Sequence, residues 1–122
     1  MKRSILVVDD EPEVVQFLTK RLADAGFETF AAFSGDECLE QLKIHGPDLV
    51  LLDIMMPGKD GFAVLKEIRQ DPQISETTVI MVTAKSESGS LFKGQELGAT
   101  DYLIKPIDFQ ELLKYIDRYT KA

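Results

Sequence analysis

The run Leu49-Val50-Leu51-Leu52-Asp53-Ile54-Met55-Met56-Pro57-Gly58 sets four apolar residues directly before one aspartate, with a Pro-Gly turn signal shortly after. A short apolar run bounded by turn residues reads as a fully buried strand of a parallel sheet. In an open α/β sheet, ligands sit outside the carboxyl ends of the strands. Asp53 therefore stands where chemistry is done, although an aspartate there can also simply cap the following loop. The neighbouring segments have to separate these two readings.

Ser4-Ile5-Leu6-Val7-Val8 is a second such run, and it too ends in acids: Asp9, Asp10 and Glu11. Pro12 suits a first helical turn, with Asp10 as the expected N-cap. Val14, Val15, Leu18, Leu22 and Ala25 recur at helical spacing, and Gly26 is a stop signal. Residues 28–33 form a weaker, more polar strand expected near a sheet edge. Ser34-Gly35-Asp36-Glu37 is a capping box opening a second helix, which His45-Gly46-Pro47 ends. After the Asp53 strand, Phe62, Leu65 and Ile68 mark a third helix that ends by Asp71-Pro72. Thr78-Val79-Ile80-Met81-Val82-Thr83 is a further buried strand. Ser86 to Leu97 is a fourth helical candidate, closed by Gly98 and weakened by Gly89 and Gly94, each costing roughly 1 kcal/mol against alanine. Those two glycines either keep the helix easy to shift or allow close packing. Asp101-Tyr102-Leu103-Ile104 is the last strand, followed by Lys105-Pro106. Asp108 opens the last helix, with the stripe Phe109, Leu112, Leu113, Ile116 and Tyr119.

Strands alternating with helices imply βαβ units and a parallel sheet covered on both faces. The 122 residues suffice for one domain, taken as residues 1–122, with no repeat, linker or low-complexity segment. A formal net charge of −7 argues against direct binding of nucleic acid or an anionic membrane and favours a partner with basic patches. The single cysteine, Cys38, excludes an internal disulfide and lies on an apolar helical face with Leu42. His45, the only histidine, reads as solvated in a turn rather than as a ligand or phosphodonor. No signal peptide and no membrane-spanning run is seen, so a cytoplasmic location is expected.

In a parallel sheet, Asp9, Asp10, Asp53, Thr83 and Lys105 all fall on one edge. Clustered carboxylates repel, so either protons are retained or cations compensate. Lys105 supplies one charge, and a hard cation with oxygen ligands, Mg²⁺, suits the rest. Such a site fits phosphoryl transfer to a carboxylate nucleophile.

These residues carry a resemblance to the response-regulator receiver domains of two-component signalling, chemotaxis regulators among them. It covers essentially the whole chain. It rests on Asp9-Asp10, the stretch from Asp53 to Gly58 with Asp60-Gly61 after it, Thr83-Ala84, and Gly98-Ala99 leading into Tyr102-Leu103-Ile104-Lys105-Pro106. The resemblance implies a flavodoxin-like (βα)5 fold, a doubly wound parallel five-stranded sheet of order 2-1-3-4-5. It implies that Asp53 accepts a phosphoryl group from a sensor histidine kinase or histidine phosphotransfer protein. Asp10, Asp53 and the Met55 backbone carbonyl would bind Mg²⁺ directly, and Asp9 mostly through water, with Mn²⁺ able to substitute. Thr83 and Lys105 would contact the phosphoryl group, Tyr102 would turn with Thr83 as the switch, and the Lys105–Pro106 bond would be cis. Met55, Met56, Ala84 and Lys85 are where phosphoryl lifetime would be set. The face made by the fourth helix, fifth strand and last helix would then change toward an effector or output domain. In this reading the chain is no enzyme beyond its own phosphorylation and dephosphorylation. Homodimerisation on phosphorylation, and a stand-alone against an excised receiver, stay open.

Three other functions share parts of this pattern. A Mg²⁺-dependent phosphohydrolase typically needs a second acid two residues after its nucleophile, and that position here is Met55. A flavin module would be poorly served by the acidic, glycine-free loop after the first strand. A receiver-like adaptor that acts without phosphorylation would be expected to lack one of Asp53, the acids or Lys105, and all are present.

Overall fold

The computed structural model describes residues 2–84 and 95–120. Five strands, β1 (Ser4–Val8), β2 (Glu28–Ala32), β3 (Leu49–Asp53), β4 (Val79–Ala84) and β5 (Asp101–Lys105), form one sheet of order β2-β1-β3-β4-β5. Every neighbouring pair is parallel. Helices α1 (Pro12–Asp24), α2 (Gly35–His45), α3 (Gly61–Gln70) and α4 (Phe109–Tyr119) follow strands one, two, three and five. The expected helix over residues 86–97 lies largely outside the described residues, as do Lys85, Gly89 and Gly94. Its end is described: residues 95–97 are helical, and Gly98 follows with φ 94°.

β1 and β3 hold the centre, and all five residues of each are buried. A strand covered on both faces has no side to give to water, so its sequence is apolar without alternation. Alternate residues feed two cores. On one face, Leu6, Val8, Val50, Leu52 and Met81 pack with Cys38 and Leu42 of α2 and with Phe62, Leu65 and Ile68 of α3. On the other, Ile5, Val7, Leu49, Leu51 and Ile80 pack with Val15, Leu18 and Leu22 of α1 and Leu112 and Ile116 of α4. Helices on both faces of a parallel sheet make the fold doubly wound, as expected.

Local chemistry sets the boundaries. Ser34 caps α2 by accepting the Glu37 N–H at 3.2 Å. Glu37 returns not to the cap residue but to the Phe33 N–H, at 3.1 Å. β2 ends at Ala32, the last residue paired with β1, rather than at residue 33. Asp108 caps α4, accepting from the Gln110 and Glu111 N–H groups. One expected cap is corrected: the N-cap of α1 is Glu11, which makes no side-chain cap bond, rather than Asp10. Asp9 accepts the Glu11 N–H instead, at 3.0 Å, which leaves the Asp10 carboxylate for the sheet edge.

Cys38 is fully buried and burial pushes its thiol up to about 12, so it is an inert packing group. His45 is exposed and its ring stacks on Phe30, centroids 4.0 Å apart. Among the described residues, no helix is long and apolar enough to cross a membrane.

Candidate functional site

The register brings the acids together. Val8 stands level with Leu52 across the β1–β3 pair, so the next residues, Asp9 and Asp53, are neighbours at the carboxyl edge. The Asp9 N–H still donates to the Ala32 carbonyl at 3.2 Å, so the strand's hydrogen bonding holds the acid in place. Asp9 and Asp53 are each only 3% exposed, and Asp10 is more open. One carboxylate oxygen from each of the three lies within 4.8 Å of the others.

Lys105 arrives from the far side of the sheet. Asp53 is level with Val82 and Val82 with Leu103, so Lys105, two residues on, leans over the same face as Asp9 and Asp53. Its Nζ lies 3.3 Å from Asp53 Oδ1 and 3.6 Å from Asp9 Oδ2. The Lys105–Pro106 peptide bond is cis. Thr83 is one residue beyond Val82 and 2% exposed; among the described residues its hydroxyl donates to the Ala84 carbonyl, at a long 3.4 Å.

The segment after Asp53 is closed on itself. The Ile54 N–H donates to the Val82 carbonyl at 3.1 Å, and the Gly61 N–H returns to the Ile54 carbonyl at 2.9 Å. Asp60 caps α3 by accepting the Ala63 N–H at 2.9 Å. Gly61 is required here, because a Cβ would meet the Asp53 carbonyl oxygen at 2.6 Å and the Ile54 Cα at 2.7 Å. Within the loop Met56 points into the core, whereas Met55 is 61% exposed.

Electrostatics at the edge are unbalanced. Burial, then the Asp9 charge, push the Asp53 carboxyl up to about 6, against the opposing pull of Lys105 and a hydrogen bond from the Met55 backbone. Burial alone would pull the Lys105 ammonium down, but Asp53 and Asp9 outweigh it and hold it above the usual lysine value. Among the described residues, three carboxylates cluster here and one ammonium, Lys105, pairs with two of them. Hard oxygen donors, one of them open to solvent, suit a divalent cation that keeps several waters, and Mg²⁺ fits that donor set. The chemistry of the cluster could thus bind a metal.

The structure gathers Asp9, Asp10, Asp53 and Lys105 into one cluster, with Thr83 on the neighbouring strand end. Tyr102 is different. Its ring packs against the α2–α3 core, and its hydroxyl is buried with no hydrogen-bond partner among the described residues. Burial, then Asp101, raise its pKa. Gly61, Glu11 and Lys59 were not singled out for the contacts they make here. The Asp60-Gly61 pair carried a signal, but its steric reason appears only with α3 in place.

A family profile for the response regulator receiver domain matches residues 5–117. The transcriptional activator protein IrlR of Burkholderia pseudomallei is 42% identical over 109 residues, covering 89% of this chain and 46% of that protein. The chain thus spans a little under half the length of the curated relatives it matches. Among solved structures, the chemotaxis protein CheY4 of Vibrio cholerae superposes with a TM-score of 0.90 at 31% identity, over 98% of this chain and 99% of that one. The receiver domain of NtrX from Brucella abortus does so with a TM-score of 0.88 at 33% identity, over 97% and 98%. The sheet order and the acidic edge define a flavodoxin-like signalling domain. The chain belongs to the response regulator receiver domain family of two-component systems.

Proposed function

We propose that residues 1–122 act as one phosphorylation-dependent switch in which Asp53 accepts a phosphoryl group from a phosphohistidine. The donor is a sensor histidine kinase or a histidine phosphotransfer protein. The observation that carries this is the buried Asp53 carboxylate, 3.3 Å from Lys105 and in one cluster with Asp9 and Asp10. An Asp53 oxygen attacks phosphorus, and the P–N bond breaks with its electron pair returning to the donor imidazole. The attacking carboxylate must be ionised, which burial and Asp9 oppose and Lys105 favours. A Mg²⁺ ion held by Asp10, Asp53 and the Met55 carbonyl, and by Asp9 through water, would supply the remaining positive charge at the phosphoryl oxygens.

The aspartyl phosphate adds roughly −1.5 to −2 charges and three acceptor oxygens. Lys105 stays paired to them. Among the described residues Thr83 gives up a long 3.4 Å bond to turn its hydroxyl toward the phosphoryl group. Its departure makes room for Tyr102, whose buried hydroxyl lacks a partner among the described residues. The face that β5 and α4 help to form then changes toward an effector or output domain.

The test is intact mass after incubation with acetyl phosphate and Mg²⁺, beside Asp53→Asn and an EDTA control. The expected result is a gain of about 80 Da, one phosphoryl group, that needs both Asp53 and Mg²⁺. A gain that persists in Asp53→Asn would move the acceptor elsewhere. No gain with Mg²⁺ bound, and none from a phosphohistidine donor, would leave an adaptor working by protein binding alone.

A further inference from the structure

The loop over residues 54–60 would contribute the Met55 carbonyl to the cation site, so whatever holds that loop shapes the site. At its start the chain is held by Ile54, and Met56 sits in the core at 7% exposure. At its end the Gly61 N–H and the Asp60 cap secure α3. Between them, Pro57 and Gly58 are exposed and offer no polar side chain. Lys59 is the polar anchor of that tip. Its Nζ lies 2.9 Å from Asp36 Oδ1, in the first turn of α2, and 2.5 Å from Glu67 Oε2, on α3. Hydrogen bonds to Glu67 and then Asp36 hold the ammonium above the usual lysine value. The stem is seated as well: it packs with Val64 over Gly35, where a Cβ would meet Val64 Cγ2 at 2.6 Å, Lys59 Cδ at 3.1 Å and Lys59 Cβ at 3.2 Å. One side chain thus ties the loop tip to two helices and packs on a glycine that leaves it room.

We propose that Lys59 is a positioning residue, a clamp that fixes the loop after Asp53 against α2 and α3 and so keeps the Met55 backbone ready for the divalent cation. The inference rests on the cation-dependent function proposed above. It makes a prediction whose sign separates it from simple electrostatics. A lysine acting only through its charge repels a divalent cation, so removing that charge would tighten binding. A clamp does the reverse.

The variant is Lys59→Met, which keeps most of the stem and removes the ammonium, with Lys59→Arg as the conservative partner. Mg²⁺ affinity is measured by calorimetric titration, and exchange of the Gly61 amide by hydrogen exchange in metal-free protein. The clamp predicts Mg²⁺ binding about two- to fourfold weaker in Lys59→Met, the range expected of partly exposed ion pairs. It also predicts faster Gly61 exchange, an unfolding midpoint that barely moves, and recovery of both readouts in Lys59→Arg. Equal or tighter Mg²⁺ binding in Lys59→Met overturns the proposal. Unchanged Gly61 exchange overturns it too, without reference to metal. If the unaltered protein binds no Mg²⁺, the function proposed above fails, and the exchange rates still decide for or against the clamp.

Discussion

Asp48 immediately precedes β3 and Asp53 ends it, so two aspartates flank one buried strand in very different company. The Asp48 carboxylate is exposed and accepts the Ser4 N–H at 2.8 Å and the Ser4 hydroxyl at 3.3 Å. Its own N–H donates to the Ser4 carbonyl at 2.9 Å, so the pair stitches β1 to the start of β3. Asp53 is buried beside a second buried acid, with Lys105 as its cation. The first arrangement satisfies a carboxylate, and the second keeps one at a disadvantage. Strained or under-compensated groups persist only where the surrounding structure holds them, and such places are where chemistry is found. At β3 the amino end satisfies its carboxylate, and the carboxyl end keeps one buried beside a second acid.

The largest effect should come from the backbone that supports Asp53. Gly61→Ala drives a Cβ to 2.6 Å from the Asp53 carbonyl oxygen and 2.7 Å from the Ile54 Cα. Backbone atoms cannot rotate aside, so either the start of α3 or the end of β3 must shift. A cost of about 3 kcal/mol is expected in urea unfolding, at the upper end for overpacking, together with weaker Mg²⁺ binding. A variant as stable as the parent would mean that this loop end is soft, and the contrast with the stitched Asp48 end would weaken.

Asp53→Asn should act in the opposite direction. The Asp53 carboxyl is pushed up from the ordinary 3.8 to about 6 in the folded chain, so folding favours its protonated form. Its contribution to stability is therefore full below the unfolded pKa and is lost as pH rises through about 6. An asparagine stays neutral throughout. Without divalent cations, Asp53→Asn should be more stable than the parent at pH 7.5 by on the order of 2 kcal/mol, and the gap should close by pH 4. Denaturant titrations with EDTA at the two pH values measure it. A parent more stable than Asp53→Asn at pH 7.5, or a gap that does not change with pH, would show that Lys105 fully compensates Asp53.

How far the sequence anticipates this structure depends on the range of the interaction. The five strands and their order follow from local apolar runs and from the family resemblance, and each acid stands where a strand end puts it. Lys105 could be assigned to the edge because it directly follows Asp101–Ile104, which reads as a strand, although β5 in fact includes Lys105 and the register that turns it toward Asp53 is tertiary. The cap of α1 was misread for a local reason: Asp10 is the better capping residue by type, yet the acid cluster claims its carboxylate and Asp9 takes the Glu11 N–H. Gly61 and Gly35 stand in motifs that the sequence shows, but their steric contacts, and those of Lys59, have no local signature. A glycine opposite a lysine stem exists only once the loop before α3 lies against α2, and a helix start pressed on a strand carbonyl only once α3 folds back on β3. Arg69 is similar: it donates to the carbonyls of Gly98, Ser75 and Thr77, at 2.9, 2.9 and 2.7 Å, from segments that nothing in its own helix foretells.

The smallest effect closes the contrast between the two aspartates. Asp48→Ala removes the acceptor of the Ser4 N–H and one partner of the Ser4 hydroxyl, while Ser4 remains 8% exposed. A buried donor left without its acceptor costs about 1–3 kcal/mol. Water can reach the exposed Asp48 side, so a loss near 1 kcal/mol is expected, with Asp48→Asn recovering most of it through its amide oxygen. Phosphoryl gain from acetyl phosphate should be unchanged in both, because Asp48 and Asp53 lie at opposite ends of β3. Chemical denaturation and intact mass on the same samples separate the two properties. A stability loss with full phosphorylation assigns Asp48 to structure and leaves the chemistry to Asp53. A loss of phosphorylation at unchanged stability would mean that the two ends of the strand are coupled, and the division between a quiet edge and a reactive one would fall.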